Sequence, residues 1–204
     1  MESKMTARRP LSASDDPLAR IGLLIDEARA LGATDPDAMA LATATPQGAP
    51  SVRIVLCRGI DEHGLRFFTN YDSRKGAELA SNPQASTCFF WPALDVQVRV
   101  EGAVERLTSA ESDAYFQQRP RGHRISAWVS AQSQPIAAID DLRARAALVT
   151  AEFEGRDVPR PAYWGGYRLR ASAVELWTRG VDRLHERLLF VRGGDSWQVS
   201  RLAP

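Results

Sequence analysis

Apolar positions change their spacing along this chain, and each change marks a different kind of element. Leu18, Ile21, Leu24, Ile25, Ala28 and Leu31 recur every three or four residues, the stripe of an amphipathic helix. Asp15 or Asp16 caps it, Pro17 sits in its first turn, and Gly32 ends it. The period then shortens. Met39–Thr45 and Val52–Arg58 read as strands joined by the turn Pro46-Gln47-Gly48, and Leu65–Thr69 follows a second turn at Asp61–Gly64. A short helix over Ser73–Ala80 stops before Asn82-Pro83. Ala85–Trp91 and Val96–Leu107 are strands, the second alternating Val96, Val98, Val100 against Gln97, Arg99, Glu101.

Residues 108–153 return to a helical pattern. A helix capped by Thr108 or Ser109 runs through Phe116, Arg119-Pro120-Arg121-Gly122 breaks it, and Ile139–Phe153 forms the last long helix. A Pro-rich hinge at Val158–Pro161 leads to closing strands at Tyr167–Leu169, Val174–Thr178, Leu188–Val191 and Trp197–Val199. The predicted fold is therefore mainly β with flanking helices (α+β), an antiparallel small barrel. Residues 15–204 are expected to form a single domain behind a flexible N-terminal tail at 1–14. Strands and helices do not alternate regularly and no GxGxxG follows the first strand, which disfavours a dinucleotide-binding fold.

Charge narrows the partners. Lys plus Arg number 26 against 25 for Asp plus Glu, so no general attraction to nucleic acid or anionic membrane is expected. The N-terminus carries no apolar leader, and no apolar run reaches transmembrane length. Cys57 and Cys88 lie in apolar runs and read as buried thiols of a cytoplasmic protein, while His63, His123 and His185 are too scattered to suggest a metal site.

Chemistry concentrates in basic clusters. At Thr69–Lys75 a strand ends and a helix begins at Ser73 with Arg74 and Lys75 in its first turn. Cations there oppose the helix dipole, so the group reads either as a phosphate site or as a solvated helix start. Arg53, set among Val52, Ile54, Val55 and Leu56, either joins that site or keeps its head in water at a sheet edge. In extended chain Arg183, His185 and Arg187 would share one face, either to meet an anion or an electron-rich ring, or as a surface patch paired by Asp182 and Glu186. Tyr115, Arg119, Arg121, His123 and Arg124 form a third cluster, an anion pocket or a plain solvated loop.

Read together, these segments resemble the pyridoxamine 5′-phosphate oxidase family of FMN enzymes. The pieces are Arg53–Leu56, Phe67–Asn70, Ser73-Arg74-Lys75, Gln97-Val98, Arg119-Pro120, Ala127–Ser130, Gln132-Ser133, Trp164–Tyr167, Arg183-Leu184-His185 and Arg201–Pro204. The resemblance spans Asp16 to Pro204 and implies a split β-barrel homodimer with FMN at the subunit interface. It places Arg53, Ile54, Val55, Leu56, Phe68, Thr69, Ser73, Arg74, Lys75 and Gln97 on FMN from one subunit, closed by Gln132, Ser133, Trp177 and Arg187 from the other. Arg58, Tyr115, Arg119, His123, Arg183 and His185 then fall at substrate positions, with Arg183 and His185 the catalytic pair.

Departures cluster on the substrate side. The family's usual lysine is Arg58, its serine is His123, the arginine before its glutamine is Val96, and its N-terminal substrate-covering segment has no match in residues 1–14. This pattern, with Glu186 in Arg-Leu-His-Glu-Arg, resembles the family's phenazine-biosynthesis branch. The leading expectation is an oxidase passing a hydride from a dihydro- or tetrahydrophenazine carboxylic acid to FMN and then O2. The alternative is a pyridoxine/pyridoxamine 5′-phosphate oxidase, favoured by Tyr115 and Arg119. A third is a non-catalytic flavin- or haem-binding split barrel.

Overall fold

Asp16 starts the first helix, α1 (Pro17–Ala30), by accepting hydrogen bonds from the amides of Leu18 (2.8 Å) and Ala19 (3.2 Å). The computed structural model describes Ser12 and residues 14–204. The tail expected for 1–14 lies, Ser12 and Ser14 apart, outside the described residues. The stripe on α1 does what its spacing predicts: Leu18, Ile21, Leu24, Ile25 and Ala28 are buried against the sheet.

Among the described residues nine strands join one sheet: β1 (Ala38–Ala44), β2 (Pro50–Leu56), β3 (Ile60–Asp61), β4 (Gly64–Asn70), β5 (Gln84–Trp91), β6 (Val96–Arg106), β7 (Trp164–Thr178), β8 (Glu186–Gly193) and β9 (Ser196–Arg201). All pairings are antiparallel, in the order β2-β1-β5-β6-β7-β4-β3. The sheet forks at β7. One edge of β7 pairs with β6 over Tyr167–Thr178; the other pairs with β4 over Trp164–Arg170 and with β8 over Ala173–Thr178, and β9 follows β8. No ladder joins β2 to β3, so the barrel stays open. Two backbone bonds still link the exit of β2 to β4: Arg58 N–H to the Arg66 carbonyl (2.7 Å) and Arg66 N–H to the Gly59 carbonyl (2.8 Å).

The closing segments expected at Tyr167–Leu169 and Val174–Thr178 are one strand. A bulge separates them: Glu101 pairs with Ala173 but Gly102 pairs with Ala171, leaving Ser172 as the extra residue. The buried positions accordingly change phase, from Leu169 and Ala171 to Val174 and Leu176. That phase change makes one strand read as two.

The remaining helices are α2 (Arg74–Ser81), α3 (Ser109–Gln118), α4 (Arg121–Val129) and α5 (Ile139–Glu152). The break expected at Arg119–Gly122 is narrower than the sequence suggests, because Pro120 takes the N-cap position of α4. Ile125 and Val129 of α4 pack with Phe153 and with Val158 of the hinge, a core apart from the main one. Among the described residues, no helix is long and apolar enough to cross a membrane.

Gly102 faces the bulge so closely that a Cβ there would lie 1.9 Å from the Arg170 carbonyl oxygen. Gly102→Ala is expected to lower the unfolding free energy by about 3 kcal/mol, measured by urea titration. Gly122→Ala, with nothing within 4 Å of its Cβ in α4, is expected to stay within about 1 kcal/mol of wild type or to stabilise.

Candidate functional site

Arg53 leaves β2 on the same face as Leu41 and Thr43 of β1, which turns it toward the start of α2. Its Nη1 donates to the Leu41 carbonyl (3.1 Å) and to Thr43 Oγ1 (2.6 Å), and its Nη2 to Ser51 Oγ. Glu78, one helical turn after Arg74, sits between the two arginines. It accepts from Arg74 Nε (2.9 Å), Ser51 Oγ (2.6 Å) and Thr43 Oγ1 (2.5 Å), with Arg53 Nη2 at 3.4 Å. Burial pushes the Glu78 carboxyl pKa up, but the Ser51, Thr43 and Arg74 hydrogen bonds outweigh it and hold it down at about 2. The sequence places Arg53 and Arg74 at one site or apart; the structure brings them together.

Lys75 behaves differently. Ser73 caps α2 by accepting from the Gly76 amide, and Lys75 folds back into the interior, 8 % exposed. Its Nζ donates to Gln132 Oε1 (2.8 Å), Thr69 Oγ1 (3.0 Å) and Ser73 Oγ (3.4 Å), all neutral oxygens. Burial, reinforced by the charge of Arg53, lowers its pKa to about 8. The resemblance assigns Gln132 to the closing subunit; here it already receives Lys75 and Thr69 of its own chain. Ser133 beside it holds a left-handed backbone (φ 72°).

A second group lies on the opposite face of the sheet. Phe90, Gln97, Trp177 and Arg187 form one cross-strand row, with Ile54 and Val52 on the same face of edge strand β2. Buried Glu175 accepts from Arg187 Nε (2.7 Å) and faces Arg99 Nη2 (3.4 Å), while Arg187 Nη1 donates to the Ala203 carbonyl (2.8 Å). Arg183 and His185 do not extend β8 as the alternation suggests. Asp182 (φ 51°) and Arg183 (φ 64°) are consecutive left-handed residues that reverse the chain, so only Arg187 lies in the strand. Such a conformation costs roughly 1–3 kcal/mol per residue and is concentrated at binding sites. His185 packs against Trp177 at a tilt of 46°, ring centroids 4.6 Å apart, and its Nδ1 accepts from the Gly180 amide (3.2 Å), leaving Nε2 for a ligand.

The third cluster divides. Tyr115 stacks on Phe68 (centroids 3.8 Å), and the Arg119 guanidinium lies 4.5 Å from the Trp164 ring centre. Arg119 Nη1 is buried and has no hydrogen-bond partner. Burial lowers the Arg119 pKa, Tyr115 raises it, and nearby Arg58 lowers it further. Arg58 itself pairs with Asp37 at 2.5 Å. By contrast, Arg121 caps the end of α5 through the Phe153 and Arg156 carbonyls, Arg124 pairs with Asp157, and His123 is exposed on the first turn of α4.

Strand alternation alone missed Glu78, Glu175 and Asp37. Glu78 had a signal, its i,i+4 spacing from Arg74, and Glu175 was a lone carboxylate in an apolar strand. Asp37 had none. For FMN the donor set fits: two guanidiniums, hydroxyls and a buried ammonium with only neutral partners suit a phosphate dianion. Phe68, Tyr115 and Trp164 add stacking surface.

Residues 24–155 match the family described as pyridoxamine 5′-phosphate oxidase, and residues 164–204 match the pyridoxine 5′-phosphate oxidase C-terminal dimerisation region. A pyridoxine/pyridoxamine 5′-phosphate oxidase of Anaeromyxobacter dehalogenans is 50% identical over 96% of this chain and 98% of its own length. The protein of that name from Rubrobacter xylanophilus is 48% identical over 94% of this chain and 88% of its own. Among solved structures, PhzG of Burkholderia lata 383 in complex with tetrahydrophenazine-1-carboxylic acid superposes with a TM-score of 0.86 at 34% identity, covering 96% of this chain and 98% of that one.

Lys75 generates a stability prediction with a definite sign. Its folded pKa of about 8 lies below the ordinary 10.5, so the ligand-free protein carries the burial penalty below pH 8 and sheds it as pH rises toward 10.5. Lys75→Met is expected to raise the urea midpoint at pH 7 and to flatten the rise in stability between pH 8 and 10.5 relative to wild type.

Proposed function

This chain belongs to the pyridoxamine 5′-phosphate oxidase family, and from that membership we propose an FMN-dependent oxidase acting on pyridoxine or pyridoxamine 5′-phosphate, with O2 as acceptor and hydrogen peroxide as product. The observation that carries the substrate is Arg119: a guanidinium held on Trp164 beside Tyr115 and Arg58, with a buried N–H lacking a partner. An unmet buried donor is costly, and a phosphate oxygen satisfies it. The free thiols Cys57 and Cys88 suit a reducing cytoplasm.

FMN when bound supplies the two-electron acceptor. Arg53, Arg74 and Lys75 would hold its phosphate, with Phe68 and Gln97 among the residues that would bind it. Arg183 and His185 would orient the substrate, and His185 Nε2 would hold or pass the proton. The Gly180 amide fixes that role by occupying Nδ1.

The site needs two copies of the chain. Arg53 and the row holding Trp177 and Arg187 lie on opposite faces of the sheet, so one chain does not gather both sets. Val52 (68 % exposed), Ile54 (67 %) and Phe90 (51 %) give the Gln97 face apolar surface for a partner. Residues 164–204, which carry Trp177, His185 and Arg187, are the matched dimerisation region.

A second reading keeps one observation in its favour. Asp37 neutralises Arg58 at the position where the family's lysine helps hold substrate phosphate, which suits a less charged acid such as the tetrahydrophenazine-1-carboxylic acid bound by PhzG.

Purified protein supplied with FMN is expected to turn over pyridoxine 5′-phosphate to the aldehyde, followed by absorbance. Absence of turnover alongside consumption of a reduced phenazine carboxylate selects the second reading. Arg119→Met should raise KM about 100-fold with a smaller change in kcat. Co-expressed Lys75→Met and Arg187→Ala chains, each inactive alone, should recover about a quarter of wild-type activity, because half the dimers are mixed and each holds one intact site.

A further inference from the structure

We propose that Glu78 is a positioning residue for the flavin phosphate, an internal counter-ion that holds Arg53 and Arg74 at the spacing the phosphate requires. The inference rests on the FMN reading above and adds a residue that neither the strand pattern nor the resemblance marks.

The two arginines come from different elements, β2 and the first turn of α2, and Lys75 lies close enough to Arg53 to feel its charge. Left alone, three like charges would splay apart. Glu78 meets both guanidiniums with a different carboxylate oxygen: Oε1 takes Arg74 Nε (2.9 Å), and Oε2 faces Arg53 Nη2 (3.4 Å). Arg74 is 62% exposed along its side chain, yet this i,i+4 bond anchors it by Nε and leaves both Nη groups for a ligand. Thr43 and Ser51 donate to the second oxygen and fix the carboxylate in turn.

Charge balance supports the role. Three cations and one carboxylate leave two net positive charges, which match a phosphate monoester carrying −1.5 to −2 at neutral pH. The carboxylate also stays ionised across the working range, so the arrangement is set before the ligand arrives. A pre-arranged site avoids the ordering cost that two long side chains otherwise add to binding.

The test compares FMN with riboflavin, which lacks the phosphate, by quenching of flavin fluorescence on the full-length protein freed of flavin. Glu78→Ala should weaken FMN about 30-fold while riboflavin affinity changes less than about twofold. Glu78→Gln, which keeps an acceptor oxygen, should recover part of the loss. Unchanged or tighter FMN binding by Glu78→Ala overturns the proposal, as does an equal loss for both flavins, the mark of a purely structural residue. If Glu78→Ala does not fold, Glu78→Gln and Glu78→Asp decide by the same ratio. A wild-type protein that binds FMN no better than riboflavin defeats the phosphate-site reading itself, and is told apart from failure of the Glu78 role because no variant is involved.

Discussion

β7 must satisfy three partners with one backbone. Along one edge it pairs with β6 over nearly its full length; along the other, its first half belongs to β4 and its second to β8. A regular strand would keep the same side chains on the same face throughout. The extra residue at Ser172 changes the phase at the fork, so that Leu169 and Leu176 are both buried. Gly102 permits the close approach of the Arg170 carbonyl that this requires. The placement of Trp177, Glu175 and Arg187 on the outer face follows from that one irregularity.

Charge is handled in the same way at both ends of the site. A buried carboxylate stands between two arginines, Glu78 between Arg53 and Arg74, and Glu175 between Arg99 and Arg187. Each lowers the penalty of gathering cations, and Arg74, held through Nε, keeps both Nη groups for a ligand. Lys75 is the exception, with neutral partners only, and Arg119 keeps an unmet N–H. An incoming anion would satisfy both groups.

Much of this was legible in the sequence because local rules governed it. The α1 stripe, the Ser73 cap and the alternation through β6 needed no distant partner to be read. The order of the basic and aromatic segments was enough to suggest the family. What escaped depended on tertiary geometry. The bulge split β7 into two apparent strands, and two left-handed residues took Arg183 out of the extended register that joined it to Arg187. Arg121 and Arg124 could be read as anion ligands or as solvated loop residues because their partners, the Phe153 and Arg156 carbonyls and Asp157, lie more than thirty residues away. The lean toward a phenazine substrate rested on Arg58, Val96, His123, Glu186 and the lack of an N-terminal substrate-covering match in residues 1–14. Val96 proves to be a fully buried core residue and His123 an exposed one, which leaves Arg58 and its Asp37 partner as the feature bearing on charge.

The fork also dictates how the chain reaches this state. β1, β2, β5 and β6 find neighbours nearby in sequence, whereas β4 has only the two-residue β3 until Trp164–Arg170 arrives, roughly a hundred residues downstream. Until then an apolar strand bearing Leu65 and Phe67 presents a bare edge. Contact order predicts that this step is slow, and until it is complete the β4 edge is open to pairing between newly made chains.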